Sequence, residues 1–407
     1  MPDRFSRSQK TLLTVLFFIN FFNYLDRQVI FPLFHNIQLS FHVDDFQLGL
    51  LGSVFMLVHS LTSLPFGLLA DRFDRRKIIA VGVGIWSIAT LVSGLAQSFK
   101  VLLGIRSVVG LGEAAYAPAA TAMISDNFPA HRRATVQGIF NIGMFLGGTI
   151  GAMVGGLIAY YYHDWRLAFL LVGIPGIVLA IWATRLQDQR TNLPESKLSL
   201  ASLRHNWPFI WVLIGSVLVT FAGGGFVTWG VEFIRRYEGY NLRDSALILG
   251  LVFMAAGILG VYFGSLLADW LHTKSSSGRS FLVGWSLILA APLVFAGLTF
   301  GQGFFVYFFF GTMLISFYHG PVTAIIHEVV PRHLWASAFA LYLLVSHLLG
   351  DSLAPAVIGR ISDQVNLRVA LQFSTVLIFL SGLAFLTVGF LLRPGQDGNQ
   401  DDPERHS

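Results

Sequence analysis

Leu68-Leu69-Ala70-Asp71 closes an apolar run that starts near residue 46, and Leu266-Leu267-Ala268-Asp269 closes another that starts near residue 245. The two tetrapeptides stand 198 positions apart. A second echo has nearly the same offset: Pro129, His131 and Ala134 recur as Pro331, His333 and Ala336, 202 positions further on. Two near-equal offsets at equivalent places argue for a duplicated unit, with coincidence in a biased composition as the competing explanation.

The runs themselves set the solvent. Of 407 residues 54% are hydrophobic and only 12% charged, too apolar a balance for a surface exposed to water. Twelve stretches read as spans: 11–34, 46–69, 78–97, 100–123, 138–161, 167–185, 208–232, 245–269, 280–299, 303–326, 337–358 and 369–392. Each is long enough to cross a hydrocarbon core of ~30 Å as a helix. They are continuous and rich in Leu, Phe, Ala and Gly, without the short alternation of a transmembrane barrel. The expected fold is therefore an all-α membrane protein of twelve transmembrane helices in two six-helix bundles related by a pseudo-two-fold axis. Residues 1–186 form the first bundle and 208–393 the second. A polar stretch over 187–207 reads as a cytoplasmic linker, and 394–407 as a disordered cytoplasmic tail.

The formal charge of +5 invites a nucleic-acid reading, but its distribution points elsewhere. Arg4, Arg7, Lys10, Arg72, Arg75, Arg76, Lys77, Arg132 and Arg133 all fall at one end of alternate spans, and the second half continues the bias. The positive-inside rule puts both termini in the cytoplasm, as an even number of spans requires. The basic start resembles a signal peptide, but the apolar run continues through Asn23 and Asp26 without a small-residue cleavage site, so it is kept as span 1. Cysteine is absent, which excludes disulfides, thiolate metal sites and cysteine nucleophiles. No nucleotide-binding loop, metal-ligand cluster or Ser-His-Asp arrangement stands out, so neither an ATP-driven pump nor an enzyme is expected. No cofactor is expected beyond a coupling proton; the expected partners are the bilayer and a small substrate, with no nucleic acid, and the chain is expected to be a monomer.

Charge inside the membrane costs about 2.5–3.5 kcal/mol per residue on insertion scales, which makes such residues functional candidates. Span 1 carries Asp26 and Arg27; span 4 carries Arg106 and, seven residues on and on the same helix face, Glu113. At 1.5 Å per residue, Asp26, Arg27 and Arg106 lie roughly 10 Å below the outer surface and Glu113 roughly 20 Å below it. Asp26 and Arg106 can pair. Glu113 is the preferred proton site because it is deepest and its nearest arginine in the sequence is two turns away; Asp26 is the second choice. The alternative is a purely structural ion network. Burial penalises the charged carboxylate and a nearby arginine favours it, so a changing cavity could move a proton on and off. In span 11 Asp351 follows His347 by one turn and is expected to face the cavity.

Gly67-Leu68-Leu69-Ala70-Asp71-Arg72-Phe73-Asp74-Arg75-Arg76 resembles the loop 2–3 signature of the major facilitator superfamily, Gly-x-x-x-Asp-Arg-x-Gly-Arg-Arg, with Asp74 where the family has its second glycine. The resemblance implies two bundles rocking about a central site. It makes Gly67, Asp71, Arg72, Arg75 and Arg76 a cytoplasmic gate. Asn23-Tyr24-Leu25-Asp26-Arg27, together with Arg106-Ser107-Val108-Val109-Gly110-Leu111-Gly112-Glu113-Ala114-Ala115-Tyr116, is similar to Spinster-type transporters, whose span 4 reads Arg-Gly-x-Val-Gly-Ile-Gly-Glu-Ala-Ser-Tyr. That likeness implies a proton-linked carrier of lysophospholipids or sphingolipids. It makes Arg27, Arg106, Tyr24, Tyr116, Asp351 and His347 candidate substrate-binding residues and charge partners. Organic anion symporters share the span 1 pattern, so a carrier of small organic anions such as sugar acids is the alternative. The expected location is a cell membrane of bacterial inner-membrane type.

Span 5 reads Gly143-x-x-x-Gly147-Gly148-x-x-Gly151-x-x-x-Gly155-Gly156, which serves close helix packing as readily as an exporter signature.

Overall fold

A computed structural model describes residues 5–188, 201–301 and 303–392. The expected tail lies outside the described residues, as do positions 189–200 of the expected linker. Twelve long helices run through the described residues: α1 Arg7–Val29, α2 Asp45–Arg72, α3 Arg75–Ser93, α4 Phe99–Asn127, α5 Ala130–Tyr162, α6 Arg166–Ala183, α7 Trp207–Tyr237, α8 Leu242–His272, α9 Gly278–Phe300, a broken α10 (Phe304–Ser316 and Pro321–Val329), α11 (Trp335–Ser346, a π turn His347–Asp351, and Ala354–Gln364) and α12 Leu367–Leu391. Ten of them are long and apolar enough to cross a membrane. The other two, α1 and α4, carry Asp26, Arg27, Arg106 and Glu113.

The helices start where a small polar side chain can take orphan backbone N–H groups. Ser6 and Asp44 head capping boxes with Gln9 and Gln47, and Ser98, Asn206, Asn241 and Asn366 cap α4, α7, α8 and α12. Asp74 is the N-cap of α3, with φ −62° and ψ 110°, accepting from the Arg76 N–H. The turn therefore needs no left-handed residue, which explains how aspartate fills the usual glycine position.

Three spans depart from the continuous helices expected. Span 1 stops at Val29, and Phe31–Leu33 forms a 3-10 turn before a short helix, Phe34–Phe41. Pro32 cannot donate to the helical ladder and restricts Phe31 before it. Gly320-Pro321 breaks α10 in the same way. In α11 the π turn at His347–Asp351 inserts an extra residue midway along the span, a feature frequent at functional sites.

The glycines of α5 form a rail against α1. A Cβ at Gly143, Gly147, Gly151 or Gly155 would collide with the carbonyl oxygens of Phe17, Phe21, Leu25 and Val29, one turn after another. Only hydrogen at those positions lets the backbones approach this closely. On α4, Gly110 meets the Phe55 carbonyl of α2, and Gly112 meets Gly82 and Trp86 of α3. These contacts fix the rotation of α1 and α4, and hence where their charges point.

Helices α1–α6 pack among themselves, as do α7–α12, and the two groups meet through α2 against α11 and α5 against α8. The face carrying the N-terminus is called terminal here and the opposite face distal. Toward the distal face α2 and α11 touch at Gly49 and Pro355 and at Gly359 and Asp45, while α5 and α8 touch at Gly156 and Ala246. Toward the terminal face α5 and α8 part around a groove of about 700 Å³, lined by Ile142, Phe145 and Leu146 on one side and Met254, Ile258 and Tyr262 on the other.

Candidate functional site

Asp26 and Arg106 are both 1% exposed. Arg106 Nη1 stands 3.5 Å from Asp26 Oδ1, and Thr90 of α3 donates to Asp26 Oδ2 at 2.7 Å. This pair seals the interior between α1, α3 and α4. The pairing expected from the depth of the two residues is present.

Glu113 is fully buried but not isolated from arginine. Arg27 donates through Nε to Glu113 Oε2 at 2.6 Å and through a second nitrogen to His59 Nε2 of α2 at 2.8 Å. The sequence distance to Arg106 was the wrong guide, because α1 brings Arg27 across to Glu113 while Arg106 turns to Asp26. The Arg27 side chain is 14% exposed and stands between Glu113 and the space between the halves. The Phe55 ring lies between the two guanidiniums, 5.3 Å from Arg27 and 4.9 Å from Arg106, and separates the two ion pairs. Tyr24 lies under Arg27 at 4.9 Å.

From the other half, His347 Nδ1 and Asp351 Oδ2 are 3.0 Å apart, with side chains 40% and 20% exposed. Asp351 lies within electrostatic reach of Arg27, and His347 of His59. The π turn that carries them packs on α7, where Gly224 faces Asp351 and Thr220 faces Gly350, and on α2. Arg27 bonded to His59 comes from the first half, and His347 paired with Asp351 from the second.

Tyr116 sits elsewhere. It is 1% exposed, edge-on to Trp86, and its hydroxyl donates to the Leu16 carbonyl at 2.9 Å. The expectation that it contacts substrate is corrected: three residues beyond Glu113 on α4, it faces the packed core and not the space between the halves.

At the terminal face Arg75 donates to Asp126 at 2.5 Å, stands 3.8 Å from Asp188 and bonds the Ala70 carbonyl. Arg76 is bidentate to Asp74 and reaches the Leu186 carbonyl. The Arg76 guanidinium holds the Asp74 carboxyl below the usual carboxylate range. Arg72 ends α2 and is exposed, Gly67 has only Pro118 nearby, and the Asp71 side chain lies outside the described residues. In the second half Arg279 bonds Glu328 at 2.5 Å and Asp269 at 2.8 Å. Arg75 with Asp126 and Arg279 with Glu328 are equivalent pairs at offsets of 204 and 202 positions, which extend the repeat already visible in Asp71 and Asp269. Asp126 and Glu328 went unread in the sequence, although the offset of 202 positions relates them, and Arg279 was read only as part of the positive bias. Among the described residues no group of acidic or histidine side chains could hold a metal ion.

Two helical bundles, buried ion pairs inside the first and repeated arginine-carboxylate clusters at one face fit the class of membrane carriers. The family model described as Major Facilitator Superfamily matches residues 16–355, and the chain belongs to that superfamily of transporters. Within it the chain is of the Spinster type. It is 30% identical over 390 residues to Protein spinster of Drosophila melanogaster, covering 90% of this chain but only 64% of the fly protein's length. It is likewise 30% identical to Protein spinster homolog 1 of Mus musculus, covering 94% of this chain and 81% of the mouse protein. A crystal structure of a bacterial homolog of the human lysosomal transporter Spinster, in an inward-facing and unoccupied conformation, has the same fold. That likeness has a TM-score of 0.85 at 24% identity and covers 96% of this chain and 98% of that one.

Proposed function

We propose that the protein is a proton-coupled carrier that moves a lysophospholipid-like or sphingolipid-like molecule by alternating access. The observation that carries this reading is the Arg27–Glu113 pair, whose arginine also bonds His59 on α2, the helix against which the π turn of His347 and Asp351 packs. A buried carboxylate whose arginine can be drawn away by substrate, or by Asp351, gains a proton when that arginine leaves, because burial penalises the bare charge. Proton uptake and substrate engagement then compete for Arg27, which is the coupling. Asp26, held by Arg106 and Thr90, is the second proton site and maintains the charge balance of the inner pair.

The lipid-like substrate is supported by the largely apolar groove between α5 and α8, which is open enough to receive an acyl chain. A sugar acid has no use for such a groove. By the positive-inside bias the terminal face is cytoplasmic, so this conformation is inward-facing, as the printed name of the bacterial homolog states for that protein. Asp71, Arg72, Arg75, Arg76 and Gly67 would then close the cytoplasmic side in the opposite state.

The test is reconstitution in liposomes with labelled lysophospholipid and labelled sugar acid, each with and without a pH gradient, using the parent protein and Glu113→Gln. Lysolipid flux whose pH dependence disappears in the variant supports both parts. Flux of the sugar acid alone overturns the substrate, and an unchanged pH dependence overturns the coupling site.

A further inference from the structure

The polar contacts between the two halves gather at the distal face, far from Glu113. Asp363, near the end of α11, accepts the backbone N–H of Asp45 at 2.9 Å and of Phe46 at 2.8 Å, the first two residues of α2 in the other half. The helix's own cap, Asp44, takes the Gln47 N–H. Two orphan donors at the positive end of α2 are therefore satisfied by a carboxylate from across the interface. Alongside, the Asp45 carboxylate accepts two bonds from Arg236 of α7, at 2.6 and 2.8 Å, and one from Ser362 at 2.6 Å. Arg236 also bonds Glu232 of its own helix at 2.9 Å, and Arg235 bonds the same carboxylate. Ser53 of α2 accepts the Ala356 N–H at 3.1 Å.

We infer that Asp363 and Asp45 are the distal latch of the transport cycle: a helix cap and a bidentate ion pair, both reaching across the halves, that hold this face shut in the present conformation and are surrendered when it opens. The bonds to Asp363 and those from Arg236 and Ser362 to Asp45 all cross between the halves, so they exist in only one of the two states and bias the equilibrium between them, whereas Gln38 holds Asp45 from its own half. The latch is also built to break cleanly. Separation exposes the first N–H groups of α2 to water and does not bury them unpaired. Arg236 keeps Glu232 as its partner, and Asp45 keeps Gln38 and gains water, so neither charge is buried alone. Packing alone would need none of these features.

The chain has no cysteine, so introduced pairs report without background. Leu39→Cys with Val365→Cys reads the distal face, and Phe73→Cys with Ser276→Cys reads the terminal face; all four positions are exposed. Spin-label distance distributions are recorded on the full chain in lipid nanodiscs, alone and with Asp363→Asn or Asp45→Asn. The expected result is a several-fold larger population with a longer distal and a shorter terminal distance in either variant. Ser362→Ala, which removes one hydroxyl and leaves both carboxylates, should shift the same population in the same direction by about twofold. Distributions that superimpose on the parent in variants that fold would overturn the latch. The readout is conformation and not flux, so it stands or falls independently of the substrate and the coupling proton.

Discussion

Arg27 of α1 bonds Glu113 of α4 at 2.6 Å, while its chain neighbour Asp26 faces Arg106, seven residues before Glu113 on the same α4. The pairing is crossed, so neither arginine can leave without disturbing a carboxylate on the partner helix. Phe55 keeps the two pairs apart. The Asp26–Arg106 pair is sealed in the interior, whereas the Arg27 side chain of the other pair keeps 14% of its surface exposed.

Arg27→Met should strand Glu113 without its cation and lower stability by about 3–5 kcal/mol, the usual cost of breaking a buried pair from one side. Adding Glu113→Leu should restore most of that loss and leave transport dead. Thermal melting with parallel flux measurements checks both halves of the statement. A double variant that stays as unstable as the single one would refute the account.

Glu113→Gln preserves shape and removes the titrating group. Stimulation of flux by a pH gradient should fall by about tenfold or more, roughly the effect of 1.4 kcal/mol on a rate, with downhill exchange of substrate retained. Counterflow alongside gradient-driven uptake separates the two.

Tyr116→Phe should leave transport within about twofold of the parent while lowering stability by about 1 kcal/mol, the net value of one hydrogen bond. A large loss of flux at unchanged stability would return Tyr116 to the substrate site.

Gly151→Val presses a branched side chain into the Leu25 carbonyl, and overpacking of this kind costs about 1–3 kcal/mol or more. Gly138→Val on the same helix meets nothing within 4 Å and should be tolerated. Melting temperatures in detergent give the comparison; equal losses at the two positions would remove the rail as an explanation.

Asp74→Ala removes a cap and the Arg76 partner, at a cost of about 1 kcal/mol. The folded-state carboxyl titrates below its unfolded value, so its contribution is present at neutral pH and fades as pH falls through the lowered folded pKa. The Asp74 side chain is 27% exposed and its Arg76 partner 38%, so the ion-pair part is small and salt-sensitive. Melting curves of parent and variant should converge at acid pH; a gap that widens there would contradict the assignment.

Much of the architecture was legible because a bilayer imposes a strict code on a chain. Length and apolarity marked ten spans clearly and α1 and α4 less so, because charges interrupt them, and the recurrence of Leu68–Asp71 as Leu266–Asp269 exposed the repeat. The motif around Asp26, Arg27, Arg106 and Glu113 carried the Spinster likeness. What misled was separation along one helix: it is a poor measure of electrostatic neighbourhood when another helix supplies the partner. Tyr116 was misplaced for a related reason, since membership of a motif does not say which face of α4 a residue occupies.

By itself the sequence determined which segments enter the membrane, where the charges sit along each helix and that two similar units follow one another. These properties depend on composition and on 1.5 Å of rise per residue, both local. Only the tertiary structure decided that Arg27 goes to Glu113, that His347 and Asp351 stand on a π turn facing them, and that Asp363 caps a helix of the other half. Those relationships depend on how helices rotate and approach one another. That is settled by glycine rails and side-chain packing between segments distant in the chain, and no single stretch of residues encodes it.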